Sequence, residues 1–283
     1  MCSTLLRWFG NNRRDLPWRR THDPYLIAVS EVMLQQTQVD RVKPKYLAWR
    51  QAWPTTKSLA EAPLHDVLKL WSGLGYNSRA KRLRDSARAV MERFGGKWPR
   101  DIAELESLPG FGPYTARAVA SFSYNVDTAV IDTNVRRVMS RIFFGIRATE
   151  QSELDEVVEH ILPRGKSSDW NAALMDFGSA VCTSRSPKCK TCPMKNYCRA
   201  YPAILDQNRM KKVSSVKFQD SDRYLRGQII KHVIEQGSVP RMALIASLQR
   251  MKVVDKKRVV RLMDLLVVEG LVVERNGRLY IAS

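Results

Sequence analysis

Apolar residues recur every three to four positions along most of residues 1–200, which is the spacing of one face of an α-helix. The pair Asp23–Pro24 predicts an N-cap and a first helical residue for "YLIAVSEVMLQQ". The pair Gly95–Gly96 predicts the end of "SRAKRLRDSARAVMERF", and Ser152 predicts the cap of "ELDEVVEHIL". No segment of this part sustains the alternation of period two that marks a strand, so we expect it to be almost wholly helical, without a sheet.

A second pattern begins after residue 221. "RYLRGQIIKHVIEQG", "RMALIASLQRM" and "KKRVVRLMDLLVVEG" predict three short helices, and Asn276–Gly277 between two apolar runs predicts a β-hairpin. Residues 222–283 are therefore predicted to form a small α/β winged-helix domain. Residues 201–221 have weak periodicity and are predicted to be a linker. The expected fold class is all-α over residues 1–200, followed by this small domain.

The composition of the chain favours binding to polyanions. The chain has 283 residues, of which 44% are hydrophobic, so it is able to bury a core. Its 47 basic and 28 acidic residues give a net charge of +19, which draws a protein toward nucleic acid. A generally basic surface is the alternative. The C-terminal domain has 12 basic and 6 acidic residues, which favours DNA contact, although winged helices also serve as protein-binding or dimer modules.

No feature of the sequence points to a membrane. No charged leader opens the chain, and no apolar run approaches membrane-spanning length. We therefore expect a cytoplasmic protein with no membrane partner.

Four of the five cysteines crowd into one short segment with the spacing C-x6-C-x2-C-x5-C. Such clustering in a cytosolic chain indicates a metal site rather than disulfides. Four thiolates bind either tetrahedral zinc or an iron-sulfur cubane, and ligand type alone does not separate the two. Lys188, Lys190 and Lys195 lie between the ligands and predict a basic loop. The four cysteines are Cys182, Cys189, Cys192 and Cys198.

The stretch "LPGFGPYTARA" predicts a tight turn followed by a new helix. Gly110 and Gly112 are expected to permit both unusual backbone angles and a close approach by a ligand. The backbone N–H groups of such a turn and of the following helix form a site for a phosphate oxygen. A glycine turn of purely structural purpose is the alternative.

Several separate motifs within residues 5–200 carry a resemblance to a known family. The glycine turn, followed by "AVIDTNVRRVMSR", resembles the HhH-GPD superfamily of DNA glycosylases. "DLPWRRTHDPYLIAVSEVMLQQTQV" and "LWSGLGYNSRAKRL" resemble the adenine DNA glycosylases of the MutY type, which are related to endonuclease III. The resemblance implies a two-lobed helix-hairpin-helix fold, a 4Fe-4S cluster on the four cysteines, and double-stranded DNA with a mismatch or lesion as partner. We expect a nucleoid-associated monomer.

The same resemblance assigns four catalytic positions. Glu31 lies in an apolar helical stretch, where desolvation keeps a carboxyl group protonated as a general acid, although a solvent-facing glutamate is the commoner state. Asp132 matches the aspartate that stabilises the sugar cation, and a simple helix N-cap is its alternative. Asn134 matches an asparagine that assists this site. Tyr114 stands where bifunctional relatives carry a Schiff-base lysine, and a phenol cannot supply that amine.

Further positions match residues that contact DNA in the family. Gln36 and Tyr76 match side chains that wedge into the duplex and offset the loss of stacking when the base is extruded. Thr37 and Leu74 match their neighbours, which contact the opposite base. Positions resembling the lining of the adenine pocket are Arg14, Trp18, Arg19, Leu34 and Asp176.

The resulting prediction is a monofunctional glycosylase that removes adenine mispaired with 8-oxoguanine or guanine. MutY-type enzymes normally carry a Nudix-like domain that helps to recognise 8-oxoguanine, and a winged helix stands in its place in this chain. A thymine or uracil mismatch glycosylase acting on T:G and U:G is therefore the alternative within the class. A non-catalytic iron-sulfur DNA-binding regulator is the alternative outside it.

Overall fold

A computed structural model describes residues 1–147, 149–205, 218–251 and 255–283. Those residues are predominantly helical, with one small sheet near the C-terminus. The α-helices are α1 (Cys2–Asn12), α2 (Pro24–Leu34), α3 (Val39–Ala52), α4 (Thr56–Ala60), α5 (Leu64–Trp71), α6 (Ser78–Phe94), α7 (Ile102–Glu106), α8 (Pro113–Tyr124), α9 (Thr133–Met139), α10 (Gln151–His160), α11 (Ser167–Ala180), α12 (Asp222–Gln236), α13 (Arg241–Met251) and α14 (Lys256–Val268). The strands are β1 (Ser238–Pro240), β2 (Val272–Arg275) and β3 (Arg278–Ile281).

Two compact units share these elements. The first comprises Met1–Glu31, Pro99–Ser107 and the described part of Phe111–Val213. The second comprises Val32–Trp98, Leu108–Gly110 and the described part of Ser214–Ser283. Residues 206–217 of the predicted linker lie outside the described residues, so the predicted domain limits stay predictions.

The core of the first unit surrounds α11. Helices α1 and α9 pack against α11, and α7 packs against α8. Leu5, Val138 and Trp170 are among the fully buried side chains of this cluster, and each comes from a different helix. Apolar residues at helical spacing on three helices thus close on one another and exclude water.

The second unit combines α3–α6 with the C-terminal elements. Helix α6 packs against α4 and α5, and α12 packs against α5, α14 and β3. The three strands form an antiparallel sheet in the order β1-β3-β2. The order of helices and strands is that of a winged helix, which confirms the predicted fold class. No helix of the described residues is long and apolar enough to cross a membrane.

Local signals in the sequence predicted the start of α2 and the hairpin between β2 and β3, whereas one predicted helix cap is wrong. The Asp23 carboxylate accepts a hydrogen bond from the backbone N of Tyr25, 2.9 Å away, and α2 begins at Pro24 as predicted. Asn276 and Gly277 both have positive φ, at 49° and 69°, which is the type I′ geometry of the predicted hairpin. The predicted cap at Ser152 is wrong, because α10 begins at Gln151 and no side chain caps it.

Candidate active site

A buried carboxyl group and a phenol face each other in the first unit. Glu31 on α2 is 6% exposed, and the Tyr114 hydroxyl in the first turn of α8 donates to its Oε2 over 3.0 Å. Burial raises the pKa of Glu31 from 4.5 to about 7, against the hydrogen bond from Tyr114. The negative charge of Asp132 adds to this rise, and the positive charge of Arg19 opposes it. The carboxyl group is therefore able to hold a proton near neutral pH.

Tyr114 itself stays a hydrogen-bond donor. Burial, followed by the charges of Glu31 and Asp132, raises the pKa of the Tyr114 phenol well above its usual value. A phenol that keeps its proton donates to the charged form of Glu31 and favours that form. The hydrogen bond from Tyr114 therefore opposes the rise in the pKa of Glu31 that burial causes.

Asp132 is the N-cap of α9, and both its oxygens accept hydrogen bonds. Oδ1 accepts from the backbone N of Val135 over 2.7 Å, and Oδ2 accepts from the Asn134 side-chain amide over 2.8 Å. A helix N-terminus stabilises an anion at this position. The predicted cap and the predicted catalytic position thus coincide, and the effect of Asp132 on Glu31 shows that the two carboxyl groups lie within electrostatic reach.

Arg137 supports this site, and the sequence analysis missed it. Its Nη2 donates to Oδ1 of Asn134 over 2.9 Å and to the carbonyl of Gly178 over 2.7 Å. Its Nε donates to the carbonyl of Cys182 over 2.8 Å. The sequence does contain a signal for this contact, because residues three apart share one helix face and Arg137 follows Asn134 by three residues. One guanidinium therefore joins the amide beside Asp132 to the start of the cysteine segment.

Gly178 on α11 allows the backbone of α9 to approach. A Cβ atom at Gly178 would lie 2.6 Å from the Cβ of Asn134 and 3.3 Å from the backbone of Asn134. Gly178→Ala is therefore expected to lower the free energy of unfolding by about 1–3 kcal/mol, because two helix backbones must move apart. Urea unfolding measures the effect, and single-turnover excision rates show whether Asn134 moves.

A matched control for this variant lies on α12. Gly227 is also inside a helix, and no atom lies within 4 Å of the Cβ position there. Gly227→Ala is expected to raise the free energy of unfolding by about 0.5–1 kcal/mol, since alanine is the better helix former. Equal stabilisation by both substitutions would show that the approach at Gly178 is not tight.

A buried carboxylate holds two arginines of the predicted base pocket. Asp176 on α11 is 1% exposed and accepts from Nε of Arg14 over 2.6 Å and from Nη1 of Arg19 over 2.5 Å. Trp18 is 7% exposed in the same unit. The structure thus brings Arg14, Arg19 and Asp176 together, and their role as a base pocket stays a prediction. Leu34, the last residue of α2, belongs to the second unit.

The four clustered cysteines line one cavity in the first unit, together with Phe177 and Met194. Burial raises the pKa of the Cys192 thiol to about 11, and the other three cysteines add to that rise. In the described residues no three His, Cys, Asp or Glu side chains converge closely enough for a single metal ion. Four thiols around a common cavity fit an iron-sulfur cubane, in which each cysteine would bind a separate iron.

In the second unit, residues 35–37 and 73–76 carry the predicted DNA-wedging side chains. Gln36 and Tyr76 have φ of 54° and 49°, a left-handed backbone that residues other than glycine rarely adopt and that concentrates at functional sites. Tyr76 is 41% exposed, whereas Leu74 is 2% exposed and packs inside the unit. We call residues 73–76 the wedge loop.

Arg79, at the start of α6, ties these two segments together and is another residue that the sequence analysis missed. It is 9% exposed and donates to the carbonyls of Val32, Gln35 and Gly75 over 2.5, 2.7 and 3.1 Å. Burial is the main cause that lowers the pKa of Arg79 to about 10. A buried guanidinium therefore fixes the backbone on both sides of the predicted wedge.

Only one glycine of the predicted phosphate turn has the expected geometry. Gly110 has φ of 79°, and a Cβ there would lie 2.7 Å from the Cβ of Arg82. Gly112 caps α8 with an extended backbone, φ −102° and ψ 179°, and has open space around its Cβ position. The expectation of unusual backbone angles at Gly112 is therefore wrong. Its open surroundings leave the N-terminus of α8 approachable.

The chain is similar to several known proteins. The family of HhH-GPD superfamily base excision DNA repair proteins matches residues 29–164, and the iron-sulfur binding domain of endonuclease III matches residues 182–198. An adenine DNA glycosylase of Mycolicibacterium smegmatis is 40% identical over 99% of this chain and 95% of its own length. This chain belongs to the adenine DNA glycosylase family. It is accordingly a DNA N-glycosylase of base excision repair that carries a 4Fe-4S cluster and binds damaged DNA.

Other relatives of the adenine DNA glycosylase family are longer. The human adenine DNA glycosylase is 43% identical over 70% of this chain and 38% of its own length, so this chain spans about two-fifths of that relative. Among solved structures, a thermostable thymine-DNA glycosylase has a TM-score of 0.67 at 35% identity, covering 71% of this chain and 94% of its own. Endonuclease III in a complex with DNA shares the fold, with a TM-score of 0.64 at 23% identity over 73% of this chain and 95% of its own.

Proposed function

We propose that this protein hydrolyses the N-glycosidic bond of adenine mispaired with 8-oxoguanine or guanine in double-stranded DNA and leaves an abasic site. The observation that carries the proposal is the buried Glu31 carboxyl group, with a pKa of about 7, beside the hydrogen-bonded carboxylate of Asp132. Two carboxyl groups in different environments divide acid catalysis and charge stabilisation between them.

Each catalytic residue has one task in this proposal. Glu31 donates a proton to the departing base, which makes the base a better leaving group. Asp132 stabilises the positive charge that develops on the sugar, and Asn134 holds the Asp132 oxygen in place through its 2.8 Å hydrogen bond. Tyr114 orients the Glu31 carboxyl group.

Residues proposed to contact DNA occur in each unit. Gln36 and Tyr76 enter the gap that the extruded base leaves, and Thr37 contacts the opposite base. Leu74, predicted to contact the opposite base beside Thr37, is 2% exposed, so in this proposal it supports the wedge loop from inside the unit instead. The turn at Gly110 and Gly112 and the N-terminus of α8 bind a phosphate. The base enters a pocket formed by Arg14, Trp18, Arg19 and Asp176 of the first unit.

The cysteine loop completes the proposed interface. Cys182, Cys189, Cys192 and Cys198 are the ligands of the 4Fe-4S cluster, which acts as a structural staple when bound. Lys188, Lys190 and Lys195 are exposed on this loop, so it presents positive charge to phosphates. We propose that the protein acts as a monomer at the nucleoid.

Wild-type protein is expected to release adenine without cutting the strand. No lysine stands at position 114, so no Schiff base forms there with the sugar. Labelled duplexes with A:8-oxoguanine, A:G, T:G and U:G are incubated with the protein and analysed before and after alkali. Cleavage of the adenine duplexes only after alkali is the expected result. Strand cleavage without alkali, or a covalent complex trapped by borohydride, would contradict it.

The same panel tests a second candidate, a T:G or U:G mismatch glycosylase. The 35% identity to a thymine-DNA glycosylase structure favours this alternative. Excision of thymine or uracil with adenine left intact would establish it in place of adenine removal. Membership of a glycosylase family, together with both carboxyl groups, argues against a non-catalytic regulator.

A further inference from the structure

An arginine of the C-terminal domain lies directly against the wedge loop. The guanidinium carbon of Arg223 on α12 is 4.0 Å from the centre of the Tyr76 ring, which is a cation–π contact. Its Nη2 also donates to the carbonyl of Leu74 over 3.2 Å. Both contacts lie within the second unit. The winged helix therefore touches the side chain that is proposed to enter the duplex.

The wedge loop is shaped to admit this arginine. A Cβ atom at Gly75 would lie 2.8 Å from both Nε and Nη2 of Arg223, and Gly75 has φ of 73°. A side chain at position 75 would therefore require Arg223 to move as well as straining the backbone. Tyr76 remains 41% exposed with Arg223 in place, so part of its ring stays accessible to a base pair.

Helix α12 is anchored to the rest of the second unit by contacts elsewhere. The carbonyl of Ile234 on α12 lies 3.2 Å from Nε2 of His65 on α5. At the start of the helix, Asp222 accepts from Arg258 and Arg261 over 2.6 and 2.7 Å. These contacts fix the backbone from which Arg223 extends.

The charge of Arg223 has no carboxylate partner among the described residues, in contrast to that of Arg226, which pairs with Glu269 over 2.5 Å. The described hydrogen bond of Arg223 is to a carbonyl, and its buried Nε has no partner. The guanidinium of Arg79 lies 5.5 Å from the centre of the same tyrosine ring. Placing the like charges of Arg79 and Arg223 beside one ring costs electrostatic free energy. A contact that served only to pack the ring would not require a second charge there.

We propose that Arg223 is a positioning residue that the C-terminal domain supplies for mismatch recognition. It holds Tyr76 and the wedge loop in the conformation that enters the duplex, so the loop loses less entropy when DNA binds. The winged helix thereby contributes to discrimination between mismatched and matched DNA through the wedge. This inference rests on the proposed function, because it takes Tyr76 to be a wedging side chain.

The test compares Arg223→Ala and Arg223→Lys in a Glu31→Gln background, where the substrate is expected to stay intact. Dissociation constants are measured for an A:G duplex and for the same duplex with A:T. Loss of a partly desolvated cation–π contact is expected to weaken A:G binding about tenfold for Arg223→Ala and to leave A:T binding nearly unchanged. Arg223→Lys keeps the charge but not the planar group, so its loss should be smaller. A 2-aminopurine beside the mismatch should brighten less with Arg223→Ala, since less unstacking occurs.

Lys231→Ala is the matched control, because Lys231 is an exposed cation on the same helix and pairs with Glu235. It should weaken binding to both duplexes equally, if at all. Equal weakening of A:G and A:T binding by Arg223→Ala, with a salt slope lower by about one, would show a plain phosphate contact and overturn the proposal.

Two further results distinguish a failure of the positioning role from a failure of the proposed function. Unchanged A:G binding in both Arg223 variants would overturn the positioning role of Arg223 alone. If the parent protein binds A:G and A:T equally, and wild type removes no base from the substrate panel, the proposed function itself fails. Arg223→Lys retains a long charged side chain, so it gives an answer even if Arg223→Ala unfolds.

Discussion

Glu31→Gln is expected to lower the rate of adenine excision by about 10²–10⁴, the usual contribution of a positioned general acid. Glutamine keeps the shape and accepts the hydrogen bond from Tyr114, but it has no acidic proton to give to the base. In wild type the rate should fall above pH 7, because the Glu31 pKa of about 7 means that the acid form is lost there. Single-turnover rates from pH 5 to 9 measure both effects, and the residual rate of the variant should not show this decline.

The same substitution should stabilise the protein at alkaline pH. The pKa of Glu31 is about 7 in the folded protein against an ordinary value of 4.5, so the folded state binds more protons between these values. Stability is therefore highest below pH 4.5 with respect to this group, and it is lost as pH rises through 7. At pH 8 the shift corresponds to a loss of about 3 kcal/mol in the free energy of unfolding. Glu31→Gln should largely recover this loss, because glutamine carries no charge. Urea unfolding at pH 5 and pH 8 measures the difference.

Two further variants test whether these effects are specific to Glu31. Glu153→Gln changes an exposed glutamate that pairs with Arg147, so it should alter neither the rate nor the pH dependence of stability. Tyr114→Phe removes a hydrogen bond that lowers the pKa of Glu31, so the fall in rate should move to higher pH. A Glu31→Gln protein that keeps more than a tenth of the wild-type rate would rule out Glu31 as the acid.

Asp132→Asn is expected to lower the excision rate by about 10²–10³, the effect of removing one preorganised group that stabilises transition-state charge. The fold should survive, because asparagine is as good an N-cap as aspartate and accepts from the backbone N of Val135. The negative charge of Asp132 also raises the pKa of Glu31. Its removal should therefore move the fall in rate to lower pH, opposite in sign to Tyr114→Phe.

Asp101→Asn provides a matched control for Asp132→Asn. Asp101 is the N-cap of α7 and accepts from the backbone N of Glu104 over 3.0 Å, so the substitution changes a cap of the same kind in the same unit. It should leave the rate unchanged. An Asp132→Asn protein with a normal rate and a normal pH profile would reduce Asp132 to a helix cap.

Local patterns in the sequence predicted much of the secondary structure. Helical spacing predicted the α-helices of residues 1–200, and Asn276–Gly277 predicted the hairpin, because each depends on residues close together in the chain. The strand β1 was missed, since three residues show no period, and it forms only by pairing with β3. Ser152 failed as a cap because the preceding residues already adopt the helix start.

Some features of the candidate site could likewise be predicted from the sequence, and others could not. The amino-acid sequence by itself determined the residue types and spacings of the cysteines, Glu31, Asp132 and Tyr114, and the family resemblance that these motifs carry. Only the tertiary structure decided that Arg137 joins Asn134 to Cys182 and that Arg223 stacks on Tyr76. The proton affinity of Glu31 also depends on tertiary structure, because burial and the neighbouring charges that set it come from residues far apart in the chain. Spacing along one chain predicts a helix face, whereas the contacts between faces arise only when separate segments pack.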